Sequence, residues 1–295
     1  VSAPTRRPSD VLVGAPAEAL FVLGAISLYA GSSLAVLVFD EDDALGVAWL
    51  RGLGAAFVLS LWRRPWRRTW TPRRLGLVAV FGIVTTGMNT AFYLSIDRIP
   101  VGTAVAIEFL GPVAVAAART RSRRDVLALG LVVVGVLAVS GVRWEGAATG
   151  ILWALTAATL WGGYVLFGHR VAGDGAGIDG LAVGLAIGAV VFAPVAATST
   201  APVWSDPRLI GVCLAVAVFS NVVPYGLDQI TLRRLTAQRF AMLLAILPIT
   251  ATLVAAVVLG QVPRPLEGLG IAVVVVALAV RDRSSDQLVE PERSG

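Results

Sequence analysis

Apolar runs of helix length recur from one end of this 295-residue chain to the other, separated by short polar segments. They fall at about 15–38, 44–62, 75–96, 99–118, 125–142, 147–168, 178–197, 208–228, 236–259 and 265–281. Crossing the ~30 Å hydrocarbon core of a bilayer takes ~20 consecutive apolar residues in a helix, so each run is a candidate membrane span. Ten such runs leave no room for a soluble domain. Only 15% of the residues are charged, against about 25% in soluble domains. The expected fold is an all-α integral membrane protein of ten transmembrane helices, with the lipid bilayer as its first partner. The run at 15–38 resembles a signal peptide but exceeds the ~7–15 apolar residues of one, and it takes part in the repeat described below. It is therefore retained as the first span.

The formal net charge is +5 and every basic side chain is arginine. These arginines sit in short blocks between apolar runs, which excludes a nucleic-acid surface and points to topology. The segment 39–43 is acidic, 63–74 carries six arginines, and 119–124 carries four. Placing the even loops and both tails (1–14 and 282–295) in the cytoplasm puts 19 of the 24 arginines inside. The positive-inside rule thus predicts cytoplasmic termini. A single cysteine, Cys213, and a single histidine, His169, provide neither a disulfide framework nor a Cys/His metal cluster. No metal site and no cofactor are expected. The spacing G-x-G-x-x-G at Gly175, Gly177 and Gly180 lies between two apolar runs. A dinucleotide fingerprint needs a preceding strand, so this segment reads as a loop.

An internal repeat divides the chain. FVLGAISLYAG (21–31) aligns with WALTAATLWGG (153–163), AVAIEFLGPVAVA (104–116) with FAMLLAILPITAT (240–252), and RDVLALGLVVVGV (124–136) with RPLEGLGIAVVVV (264–276). Three blocks in one order define two five-helix halves, 15–142 and 147–281. Five is odd, so the second half enters the membrane the other way up. Inverted repeats of this kind underlie alternating access in many secondary transporters.

Charged and polar groups within the runs mark the candidate site, because an ionisable side chain at the centre of a span costs about 2.5–3.5 kcal/mol on insertion scales. Glu108 stands in the middle of the fourth run, four residues before Pro112, whose ring displaces the carbonyl of Glu108 from the helix ladder. Arg51 and Asn89 lie roughly 9 and 12 Å deep in their runs, at 1.5 Å per residue. They share a layer with Glu108, so Arg51 and Glu108 are expected either to pair or to bind a ligand. In the second half Tyr225 aligns with Asn89, and Asn221, Asp228 and Gln229 add polar groups nearby. Trp161, Tyr164 and Tyr29 are aromatics deep in their runs that either line a cavity or fill the core. Pro112 aligns with Pro248, a candidate pair of hinges. His169 reads as an interfacial side chain beside Arg170. Gly130, Gly135, Gly184 and Gly188 read as small-residue helix contacts.

AVAIEFLGPVAVA, preceded by MNTAFYLSIDRIPVG (88–102) and echoed by VVPYGLDQITLRRLTAQRF (222–240), resembles the threonine/homoserine exporter branch of the drug/metabolite transporter superfamily. The resemblance covers residues 15–281 and rests on Glu108-x-x-Gly111-Pro112 and Pro224-Tyr225. It implies two EamA-type repeats and a bacterial inner-membrane exporter of amino acids or similar small metabolites. The family's acidic residue near the end of span eight matches Asp228. Its glutamate before the proline of span nine does not: Leu247 precedes Pro248 here.

The expected activity is therefore export of a small zwitterionic metabolite, with no enzymatic step and with protons as counter-ion. Glu108 would receive the amine, Arg51 the carboxylate, and Asn89, Tyr225, Asp228, Trp161 and Tyr164 would line the path. Efflux of cationic or aromatic drug-like compounds is the alternative within the same class. A membrane sensor or enzyme is the alternative outside it.

Overall fold

The computed structural model describes residues 15–38, 44–99, 104, 107–118, 123–140, 148–196, 200–258, and 265, 266, 268–270, 272, 273 and 276. Both tails, the acidic segment 39–43 and most of the expected tenth span lie outside the described residues. The described elements are all helical: α1 Ala17–Val38, α2 Ala44–Arg63, α3 Pro72–Ile96, α4 Leu110–Ala117, α5 Arg123–Ser140, α6 Ala148–Gly173 and α7 Gly177–Ala196. After a short helix, Ala201–Ser205, come α8 Pro207–Arg234, α9 Ala237–Leu243 and α10 Ile246–Val258. Four helices among the described residues have both the length and the apolar character to cross a bilayer, namely α3, α6, α7 as far as Pro194, and α8. Helix starts follow local chemistry. Thr71 caps α3 by accepting from the Arg74 amide, and Asp206 caps α8 by accepting from the Arg208 amide; a proline follows each cap. Proline suits the first turn because its missing N–H would find no partner there.

Helices α3 and α7 meet along glycines at a stride of four. A Cβ on Gly82 would overlap the backbone of Gly184, one on Gly188 would lie 2.7 Å from the Gly82 carbonyl oxygen, and one on Gly180 would lie 3.2 Å from Val78. Side chains four apart share a helix face, so Gly180, Gly184 and Gly188 form a flat stripe against Val78, Gly82 and Thr86. Gly111 of α4 lies similarly close to Ala158 and Gly162 of α6. Gly130, by contrast, meets none of the described residues where a side chain would stand. Gly175 in the loop between α6 and α7 and Gly177 at the first position of α7 adopt positive φ, whereas Gly180 lies within α7, so the loop is shorter than the G-x-G-x-x-G segment.

Three helices break where a proline withholds a backbone donor. Helical structure is interrupted at Phe109, three residues before Pro112, and at Leu244–Ala245, just before Pro248. In α8 a π turn spans Val218–Val222, with the Val223 amide bonded to the Val218 carbonyl. Pro224 follows at once, and Ser27 of α1 donates to the Phe219 carbonyl across 2.7 Å, satisfying an acceptor that the irregular turn exposes.

Side-chain bonds fix the helix directions. Glu18 at the start of α1 pairs with Arg239, and Arg234 donates to the Ala15 carbonyl. Arg63 ends α2 and pairs with Asp179 in the first turn of α7, which Arg68 also reaches. Arg74 in the first turn of α3 pairs with Asp174, just past α6, while Ser95 near the end of α3 donates to Gly150 near the start of α6. One end of the bundle therefore gathers the starts of α1, α3, α7 and α9 with the ends of α2, α6 and α8. Helices α1 and α6 run in opposite directions, as do α2 and α7, and α3 and α8.

Among the described residues, the four long-range ion pairs all lie at this end and all join the first half of the chain to the second. Asp179 serves two arginines and is 13% exposed, against 42% and 30% for Arg63 and Arg68. Pairs with one partner so exposed contribute at most about 1 kcal/mol each. Asp179→Asn is expected to lower the thermal midpoint of purified protein by a few degrees, with the deficit shrinking at high salt as screening weakens the wild-type pairs.

Candidate functional site

The polar interior forms where α2, α3, α6 and α8 converge. Arg51 of α2 is 6% exposed. Its guanidinium donates to the Tyr93 hydroxyl at 3.2 Å and to Asn89 Oδ1 at 3.4 Å, and lies 5.8 Å from the Tyr93 ring centroid. Arg51 Nε is buried without a partner among the described residues. Asn89 Nδ2 is shared between the Thr85 carbonyl at 2.8 Å and the Tyr225 hydroxyl at 3.1 Å. Tyr225 of α8 packs 5.7 Å from the ring of Tyr164 on α6, and the Tyr164 hydroxyl donates to Asp228 Oδ2 at 2.7 Å. Phe81 stacks on the far side of Tyr164 at 5.6 Å. Arginine, amide, tyrosine pair and carboxylate thus form a nearly continuous polar path contributed by both halves of the chain.

Glu108 lies beside the break that precedes α4. It is within electrostatic range of Tyr29 and Tyr225, and among the described residues no hydrogen bond or ion pair engages its carboxylate. The direct Arg51–Glu108 pair expected from their common depth is not formed. Depth fixes height along the bundle, whereas rotation of α2 aims the guanidinium at α3. Asn89, Tyr93, Glu108 and Asp228 all retain some accessible surface. A carboxylate in a membrane span that the described residues leave unpaired is available to a cationic ligand.

Of the residues singled out in the sequence, Arg51, Asn89, Tyr225, Tyr164 and Asp228 come together. Trp161 stands apart from their bonds, packing edge-on against Phe109 at 5.9 Å, next to Glu108. Asn221 and Gln229 are buried, and His169 bonds the Leu232 carbonyl at 2.9 Å. Tyr93 was not apparent from sequence. The available signal was its position four residues after Asn89, on the same helical face.

A membrane-spanning helix bundle that keeps a cation and two carboxylates within its spans has the framework of a solute transporter. The EamA-like transporter family matches residues 148–280. Threonine/homoserine exporter RhtA of Escherichia coli strain K12 is 32% identical over 261 residues, 88% of each chain. Its counterpart in Salmonella typhimurium strain LT2 is 33% identical over 254 residues, covering 85% of this chain and 86% of that one. A crystal structure of a protein 17% identical in sequence superposes with a TM-score of 0.68, covering 96% of this chain and all of that one, and so shares the fold. The chain belongs to the EamA-type transporters of the drug/metabolite transporter superfamily, in the threonine/homoserine exporter branch. It is a multi-pass membrane transporter and not an enzyme.

Proposed function

We propose that this protein exports threonine, homoserine or a similar small amino acid across the bacterial inner membrane, by alternating access and in exchange for protons. The observation that carries the reading is the placement of one cation, Arg51, and two carboxylates, Glu108 and Asp228, around Tyr225. A zwitterion needs both signs. On this reading Glu108 receives the ammonium group when ionised and releases it on protonation, while Arg51 exchanges Asn89 and Tyr93 for the substrate carboxylate. Asn89, Tyr225, Tyr164, Asp228 and Trp161 line the path.

The moving parts are two inverted five-helix repeats, 15–142 and 147–281, with both termini in the cytoplasm. Opposite directions for α1 and α6, α2 and α7, and α3 and α8 support this arrangement. So do the helix breaks before Pro112 and Pro248, which act as paired hinges. The arginine-rich end of the bundle is the cytoplasmic end on this orientation, and its ion pairs hold the halves together there when the path opens outward.

Proteoliposomes loaded with labelled threonine test the reading. Efflux accelerated by a pH gradient is expected. An efflux rate indifferent to the gradient overturns proton exchange, and efflux of a quaternary ammonium compound without efflux of threonine overturns the substrate class. Arg51→Lys is expected to raise the KM for efflux about tenfold, with kcat within about twofold. Lysine keeps the charge but loses the planar fork, roughly one charge-assisted hydrogen bond of about 1.5 kcal/mol.

A further inference from the structure

A groove of about 800 Å³ runs along the outer surface of the bundle between α4 and α6 and ends at the start of α9. Its walls are apolar, and Leu110, Leu155 and Leu166 on them are 47%, 43% and 45% exposed. Small residues, among them Gly111, Ala114 and Gly162, form its floor. From Leu155 to Arg170 the α6 wall is about 22 Å long at 1.5 Å per residue, enough to accommodate the ~15 Å hydrocarbon depth of one leaflet.

At its arginine-rich end the groove meets a second cavity, of about 780 Å³, through Arg170, which lines both. The second cavity carries Arg73, Arg74 and Arg170 against Asp174 alone. Arg74 is held by Asp174 at 2.7 Å, whereas Arg73 and Arg170 form no ion pair among the described residues. Two cations at bilayer-interface height, above an apolar channel one leaflet deep, match one chemistry. We propose that this surface is a binding site for an anionic phospholipid, its phosphate between Arg170 and Arg73 and one acyl chain along the groove. The inference requires only the membrane setting and is independent of the transported substrate.

Native mass spectrometry of the purified protein, offered equal amounts of phosphatidylglycerol and phosphatidylcholine, tests it. Preferential retention of phosphatidylglycerol is expected, weakened about fivefold for each arginine removed in Arg73→Gln and Arg170→Gln. The Arg73→Lys/Arg170→Lys pair should restore it. Ala114→Phe, which fills the groove without touching the basic cavity, should also reduce retention. Equal retention of the two lipids overturns the proposal, as does retention unchanged in the glutamine variants. Displacement of the lipid by millimolar inorganic phosphate assigns the cavity to free anions and likewise overturns it. A shift from monomer to dimer that Ala114→Phe abolishes, without any change in lipid retention, assigns the groove to a second copy instead.

Discussion

Cells producing the Glu108→Gln variant are expected to lose resistance to a toxic threonine or homoserine load, with initial efflux from proteoliposomes falling about 10- to 100-fold. The substitution keeps size and shape and removes the charge. Glu108 keeps some accessible surface and its carboxylate is unengaged by the described residues, so the variant breaks no bond among them and should fold normally. What it loses, on the proposed mechanism, is a hydrogen bond to an ammonium group, worth about 1.5–3 kcal/mol when one partner is charged. It also loses the ability to alternate between charged and neutral forms. The residual efflux of the variant should therefore no longer respond to a pH gradient. Wild-type resistance and an intact gradient response in Glu108→Gln would remove this residue from the mechanism.

The largest structural effect is expected from Gly82→Leu. Even the first carbon of a side chain at position 82 would overlap the Gly184 backbone, and a backbone cannot turn aside as a flexible side chain can. Helices α3 and α7 would have to separate, disturbing the contacts of Gly188 with Thr86 and Gly180 with Val78 along the same stripe. Overpacking a close contact costs about 1–3 kcal/mol, and here three levels are affected together. Loss of monodisperse protein on size-exclusion chromatography is the expected outcome. Gly130→Leu, which meets none of the described residues, is the control and should purify as wild type. A well-behaved Gly82→Leu protein would show that the two helices do not approach so closely.

These two glycines also show what sequence can convey. Gly180, Gly184 and Gly188 repeat at a stride of four, which aligns them on one face. Gly130 and Gly135 are five apart, a spacing that turns them away from a common face. The helices were legible because apolar length reports bilayer thickness, and the breaks near residues 109 and 244 because proline withholds a backbone donor. Asn89 and Tyr225, aligned by the sequence repeat, are hydrogen-bonded to each other. That Arg51 and Glu108 form no direct ion pair among the described residues has a complementary reason. Counting residues from a span end measures depth but leaves rotation about the helix axis open, and rotation decided that Arg51 meets Asn89 and Tyr93. Tyr93 carries no such mark in the sequence, because a tyrosine near a span end ordinarily belongs to the interfacial belt. The outer groove was illegible altogether, since its walls are the same apolar and small residues that any span contains.

The amide and hydroxyl at the centre of the site carry a last implication. Tyr225 accepts from Asn89 Nδ2 at 3.1 Å and lies 3.5 Å from Asn89 Oδ1, to which it can equally donate. Turning one hydroxyl about its C–O bond reverses the direction of that link while every helix stays in place. Such a lining is amphoteric, able to present a donor to one guest and an acceptor to the next. On the proposed mechanism a solute's own hydroxyl is then accommodated in either sense, and selection falls to the fixed charges of Arg51, Glu108 and Asp228. On that mechanism two amino acids that differ only in where a hydroxyl sits would pass as near equals.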